Sequence, residues 1–321
     1  MPNQTAIIRV GTRASMLALA QFEEVKKYIN NFSPNLIVEP HKIKTSGDII
    51  QQKPLFDIGG KGLFIKELEE ALFENKIDIA VHSAKDLTPF LNQNTEIFAF
   101  TARQEVRDCL LSKKFSSLAD LPINARVGTC SPRRKAILLK SRPDLQIIQL
   151  RGNIDSRIRK VIEGEIDAII LALCGLKRSG LTDLVKEIFD IDKFLPAGGQ
   201  GALAIQGLKE NIKLKELIKN FDDEVSRVEI TAERSVLQNL NASCITPIAV
   251  NACWNSISKQ LRLKVQIFDY DGSEFYQTSS ISDLSSFSNA QLNQQAEIAG
   301  FNIAEDLKNN SQKLLQKICS N

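Results

Sequence analysis

Arginine stands at three places where a short apolar run gives way to a helical one. They are Gly11-Thr12-Arg13-Ala14-Ser15, Gly128-Thr129-Cys130-Ser131-Pro132-Arg133-Arg134, and Arg151-Gly152-Asn153 with Arg157 one turn further on. In open α/β sheets such strand-to-helix junctions border the ligand crevice, and the unpaired amides of the helix starts attract anions. Ser131 as N-cap with Pro132 at the first helical position fits that geometry. A guanidinium there adds a planar fork matched to carboxylate or phosphate oxygens. The three junctions together predict a site for a ligand with several negative groups. A solvated helix face, or a nucleic-acid patch over Arg133 to Arg142, is the competing reading. It has no stacking platform beside it, since aromatic residues make up just 6% of the chain.

A second cluster, Val81-His82-Ser83-Ala84-Lys85-Asp86, ends a strand-like run and delivers a hydroxyl, an amine and a carboxylate into a loop. Among so many cations Asp86 is expected to stay ionised, able to stabilise a cation or to move a proton. Taken alone, the segment fits an ordinary loop aspartate paired with Lys85 equally well. His82, with an apolar strand behind it, reads as a satisfied core histidine. Gly59-Gly60-Lys61-Gly62 precedes a helical pattern and suggests a mobile loop or a phosphate cradle, without the spacing of a nucleotide-binding loop. Cys244 lies in a small-residue turn, Asn241-Ala242-Ser243-Cys244, which exposes it more than a core cysteine.

The elements that must position these groups follow an alternating pattern. Extended segments at 6–10, 35–44, 78–81 and 96–101, with helices from Ser15 and over 63–75, read as one layered α/β unit. Strands at 125–127, 145–150 and 167–173, with helices near 132–141 and 153–163, read as a second. The Gly-rich run Pro196 to Gly201 then leads into a strand at 202–205 after a chain crossing. From Asp222 a long helix to Leu240, strands at 245–253 and 260–268, an Asp271-Gly272 turn, another strand and a final helix form an α+β third unit. No internal sequence repeat is visible.

Composition limits the partners. The 321 residues carry a formal charge of +3 with 43% hydrophobic and 25% charged residues, so any anion site is local and no nucleic-acid or membrane partner is expected. The first residues lack the pattern of a secretory leader, and the longest apolar run, Ala168 to Leu176, is too short to span a bilayer. A cytoplasmic location is therefore expected. Six cysteines without a Cys-x-x-Cys spacing and only two histidines predict no metal site.

In order and spacing over nearly the whole chain, these clusters resemble the porphobilinogen deaminase (hydroxymethylbilane synthase) family. The resemblance rests on the junctions above, on Gly59-Gly60-Lys61-Gly62-Leu63-Phe64, His82-Ser83-Ala84-Lys85-Asp86, Leu150-Arg151-Gly152-Asn153, Leu195-Pro196-Ala197-Gly198-Gly199-Gln200-Gly201 and Ser243-Cys244. It implies two α/β domains like the halves of a periplasmic binding protein, 1–101 with 197–220 and 102–196, plus a smaller α+β domain, 221–321. It also implies a monomer that condenses four porphobilinogens head to tail with loss of ammonia. The primer would be a dipyrromethane cofactor, bound by a thioether to Cys244, and the linear tetrapyrrole would leave by hydrolysis. A noncatalytic anion-binding module is the alternative that the two α/β domains alone allow.

Residue by residue, the resemblance implies that Ser83, Lys85, Thr129, Ser131, Arg133, Arg134, Arg151 and Gly152 hold the cofactor. Arg13, Ser15, Gln21, Arg157, Arg178 and Gln200 would face incoming substrate, and Asp86 would carry the reaction. The Gly59 to Gly62 loop would act as a lid or spacer. The chain departs from the family pattern at Cys130, where Ser is usual, at Pro132, where Leu is usual, and at Ala242 and Ser243, where glycines are common. Cys130 thus brings a second thiol near the cleft, without being expected as the attachment point.

Overall fold

The computed structural model describes residues 7–49, 65–243 and 245–319. In chain order its strands are β1 (Ile7–Arg13), β2 (Ile37–Ile43), β3 (Ile79–Ser83), β4 (Thr95–Phe100), β5 (Asp108–Leu111), β6 (Arg126–Gly128), β7 (Gln146–Ile148), β8 (Ala168–Ala172), β9 (Val185–Ile188), β10 (Leu203–Leu208), β11 (Ile248–Asn255), β12 (Gln260–Phe268) and β13 (Phe275–Asp283). The helices are α1 (Met16–Phe32), α2 (Ser46–Ile49), α3 (Lys66–Phe73), α4 (Pro132–Ser141), α5 (Ile154–Ile162), α6 (Leu173–Ser179), α7 (Ile212–Lys219), α8 (Glu224–Asn239), α9 (Asn289–Asn310) and α10 (Gln312–Cys319). None of these helices is long and apolar enough to cross a membrane.

Two five-stranded sheets share one design. The first runs β2-β1-β3-β10-β4 and the second β7-β6-β8-β5-β9. In each, four strands run the same way and one, in the fourth position, is antiparallel to both its neighbours: β10 between β3 and β4, β5 between β8 and β9. The duplication is one of topology and leaves no repeat in the sequence. Helix α1 forms because Ala18, Phe22, Val25 and Ile29 recur at helical spacing; that stripe packs on Val10, Val38, Val81 and Ile205 of the first sheet. Strand β8, Ala-Ile-Ile-Leu-Ala, is buried on both faces, as expected for a central strand between helices.

The chain crosses between the two sheets twice, and the crossings lie side by side. Thr101 N donates to Leu203 O at 3.0 Å and Gln104 N to Gly201 O at 3.3 Å. The sheets are therefore joined by a two-stranded strap formed from residues 101–104 and 201–203. A third, antiparallel sheet, β11-β12-β13, packs on α8 and α9 through Val236, Val250, Leu263, Ala296 and Ile303.

The alternating pattern expected from sequence is present, with five additions, one of them the single turn of α2 after β2. Strands β5 and β9 are only four residues long and too short to show a period; α6 begins where an extended run to Leu173 is expected, and α7 follows an Asn211 cap that accepts from Leu214 N. The single C-terminal helix is two, broken at Ser311. The Gly59 to Gly62 segment lies outside the described residues.

Helices α8 and α9 touch at Gly300, where an added Cβ would lie 2.3 Å from the Ala232 carbonyl oxygen and 2.6 Å from Ser235 Cβ. Gly300→Val is expected to lower stability by about 2 kcal/mol through overpacking, because the helix-propensity gain over glycine is only about 0.4 kcal/mol. Urea unfolding would show a lower midpoint at unchanged slope; an unchanged midpoint would mean that the helices can part at no cost.

Candidate active site

Each strand-to-helix junction is built by its own sequence. Ser15 caps α1, its hydroxyl accepting from Ala18 N at 3.2 Å, and Ser131 caps α4 by accepting from Arg134 N at 3.4 Å. Gly152 adopts φ 107°, and its carbonyl receives the Arg157 Nε at 2.8 Å, which folds that side chain back over the start of α5. After β3 the chain makes a single 3-10 turn, Ala84–Asp86. Gly199 sits at φ 75° so close to that turn that a Cβ would lie 2.8 Å from the Ala84 carbonyl carbon.

The junctions and the turn open onto one cavity of about 370 Å³ between the two sheets and the start of the third unit. Of the residues expected at the site, Arg13, Ser15, Gln21, Ser83, Lys85 and Asp86 line it from the first sheet's side. Ser131, Arg133, Arg134, Arg151, Gly152, Arg157 and Arg178 line it from the second, and Gln200 from the segment leading into the returning strap. Seven basic side chains face three carboxylates, Asp48, Asp86 and Asp155, on this wall. The field favours polyanionic ligands.

Thr129 is the exception. It is buried, and its hydroxyl accepts from Ser131 N at 3.2 Å, so it shapes the turn and does not reach the cavity. Cys244 lies outside the described residues, but Ser243 and Thr246 on either side of it line the cavity. Half-buried Cys130 is on the wall as expected, and so is the buried Cys174, which the sequence did not single out.

The polar groups are held in a connected set. Gln21 Nε2 donates to Ser83 Oγ at 2.8 Å, and Lys85 Nζ to Gln200 Oε1 at 3.1 Å. Arg178 binds Glu24 at 2.9 Å and the Gly201 carbonyl at 2.9 Å. Arg13 is paired with Asp48; burial acts to raise that carboxyl, but the Arg13 hydrogen bonds and charge, helped by Thr45, outweigh it and hold Asp48 below its ordinary value. Arg133 and Arg134 turn their tips to the wholly buried Asp108, a residue not singled out from sequence, at 2.7 Å each. Its only signal was a carboxylate opening an apolar run, Asp108-Cys109-Leu110-Leu111.

The electrostatics fit a site for an anion. Burial, and then the charges of Arg134 and Arg151, lowers the Arg157 pKa, and burial with the Arg134 charge lowers that of Lys85. Asp86 acts in the opposite sense on both, so its carboxylate is within electrostatic reach of each. Among the described residues Asp86 has no hydrogen-bonded partner for its carboxylate, which leaves it available to a ligand. The loop after it is held from the third unit: Arg234 Nη2 donates to Thr88 O at 3.0 Å and Pro89 O at 2.8 Å, and Gln238 Nε2 to Pro89 O at 2.8 Å.

These features define a two-lobed α/β protein whose cleft sets seven basic side chains around the Asp86 carboxylate. Family models match most of the chain: "Porphobilinogen deaminase, dipyromethane cofactor binding domain" over residues 8–216 and "Porphobilinogen deaminase, C-terminal domain" over 227–309. A porphobilinogen deaminase of Nitrobacter winogradskyi is 47% identical over 272 residues, covering 84% of this chain and 85% of that protein. A probable porphobilinogen deaminase of Methanopyrus kandleri is 42% identical over 267 residues, covering 83% and 89%. Among solved structures, the methionine binding protein MetQ is similar with a TM-score of 0.43 at 17% identity, over 67% of this chain and 88% of that one. The chain belongs to the porphobilinogen deaminase family of transferases.

His82, one residue before Ser83, is a core histidine as expected: buried, with its Nε2 2.9 Å from Gln206 Oε1. Burial pushes its pKa down to about 4, against the opposing pull of Gln206 and Asp86. An unfolded histidine titrates near 6.5. Between these values the unfolded chain takes up the proton and the folded chain does not, so this part of the stability is full above pH 6.5 and is lost as the pH falls toward 4. The loss amounts to about 3 kcal/mol. His82→Asn should flatten unfolding free energy against pH between 6.5 and 4.5; a slope equal to the parent's would place the proton elsewhere.

Proposed function

We propose that this chain is a hydroxymethylbilane synthase, condensing four porphobilinogens onto a dipyrromethane primer held by a thioether at Cys244. The observation that carries the reading is the Asp86 carboxylate on the wall of a cavity lined by seven basic side chains. The residues present fit the primer. Pyrroles bearing acetate and propionate groups bring several carboxylates into one cleft, and the Nε atoms of Arg133 and Arg134 are buried without a partner on that wall. The primer would supply the nucleophilic pyrrole α-carbon that the first incoming unit joins, and each added unit would then present its own free α-carbon to the next.

The chain's own groups do the rest. Ser83, Lys85, Ser131, Arg133, Arg134, Arg151 and Gly152 are positioned to hold the primer, and Arg13, Ser15, Gln21, Arg157, Arg178 and Gln200 the arriving substrate. Asp86 assists departure of the substrate's aminomethyl nitrogen as ammonia, faces the cation left on the methylene, and accepts the proton released when the new carbon-carbon bond forms. Arginine forks neutralise the carboxylates as they accumulate. Tethering makes each coupling effectively intramolecular.

We divide the chain at 101/102, 196/197 and 220/221. The division is supported by the end of β4 at Phe100, the return of the chain at β10 and the start of α8 at Glu224. The reading has the protein act as a cytoplasmic monomer, testable by light scattering of the purified chain. The central test is intact mass. The denatured parent should carry the mass of two linked pyrroles mapping to Cys244, Cys244→Ser should carry none, and Cys130→Ser should keep it. Asp86→Asn should keep the adduct while kcat falls by about 100-fold or more. A parent without adduct after incubation with porphobilinogen would overturn the assignment.

A further inference from the structure

Asp108 is the one carboxylate that touches the arginine pair of the cleft among the described residues. Wholly buried on β5, it accepts from Arg133 Nη2 at 2.7 Å through Oδ2, and through Oδ1 from Arg134 Nη2 at 2.7 Å and Gln200 Nε2 at 3.0 Å. Gln200 accepts in turn from Lys85 Nζ at 3.1 Å. Three cations on the cavity wall are thus tied, directly or through one amide, to a single negative charge behind them. Arg133 Nη1 donates to the Leu195 carbonyl and Arg134 Nη1 to that of Ile170, while both Nε atoms are buried and unpartnered. A buried cation cluster left without a counter-charge costs several kcal/mol. The negative charge can come from Asp108 behind or from ligand carboxylates in front.

We propose that Asp108 is a positioning residue, the resident counter-ion that lets the unloaded cleft fold and keeps Arg133, Arg134 and, through Gln200, Lys85 directed at a polycarboxylate ligand. It rests on the reading that this wall receives the dipyrromethane. The consequence is specific: Asp108 matters most when the cleft is empty, because a bound ligand supplies the charge that the residue otherwise provides. A residue that merely packs or fills space would matter equally in both states.

The test compares melting midpoints of parent and Asp108→Asn, each prepared unloaded from a host that makes no porphobilinogen and loaded by adding porphobilinogen, with loading read by intact mass. The loaded-minus-unloaded difference should be larger in Asp108→Asn than in the parent by about 5 °C or more. Recovery of the variant only in loaded form is the same result at its limit. An equal difference in both proteins overturns the proposal. The double variant Asp108→Asn/Arg134→Gln, kept unloaded, decides the matter independently of loading and of whether the single variant folds. Removing one cation should bring its midpoint or soluble yield back above that of Asp108→Asn, and a further loss overturns the proposal. If the parent itself takes up no adduct, the dipyrromethane reading fails, and the double variant alone judges the role of Asp108.

Discussion

The arrangement of the three units depends on one buried ion cluster, Arg103 with Glu229 and Glu233. Arg103 lies in the strap between the sheets, and its guanidinium reaches Glu233 at 2.8 and 3.0 Å and Glu229 at 3.1 Å on α8. Glu233 also accepts from Gly199 N and Ala252 N, and Glu229 from Trp254 N, so the two carboxylates join both crossings to the third sheet. Burial, with the Glu233 charge beside it, raises the Glu229 carboxyl, and Arg103 and the Trp254 amide oppose that without outweighing it. Breaking one partner of such a cluster leaves an uncompensated charge in the interior, so the units hold their relation through a contact that cannot be partly made.

That constraint is what gives the cleft its shape. Gly199 and Gln200, adjacent just before the returning half of the strap, serve different masters: the first gives its amide to Glu233, the second its side chain to Asp108 and Lys85. The segment that fixes the third unit therefore also fixes the back of the ligand wall. On the other side, Arg234 and Gln238 hold the loop that follows Asp86 from the same helix that leads to position 244. The loop after Asp86 and the segment leading to position 244 are thereby tied to one helix.

Much of this was legible in the sequence, and for a physical reason. Arg13, Ser131, Arg151 and Arg157 stand at strand ends beside cap and turn residues, and those local signals are the ones the structure uses to build a crevice. The helical stripe of α1 and the double-faced burial of β8 could be read the same way. What was hidden is non-local. Asp108 looks like the start of a short apolar run, and only pairing with β8 and β9 brings it behind two arginines more than twenty residues away. Thr129 shows the reverse: its place in the motif suggested a ligand contact, while the tight turn before α4 claims its hydroxyl. The shared topology of the two sheets was invisible because backbone pairing, not side-chain pattern, carries it.

The side-by-side crossings have a consequence for how the molecule comes into being on the ribosome. The second sheet is made entirely from residues 108 to 188, so all its strands are available together. The first sheet is interrupted: β4 reaches it only through β10, which is synthesised about a hundred residues later. Until residue 208 has emerged, the lobe that carries Asp86 lacks an inner strand and exposes two unpaired edges, β3 and β4. Of the two lobes, the inserted one is the one that can close first, and the lobe with Asp86 is completed second, around a partner already in place.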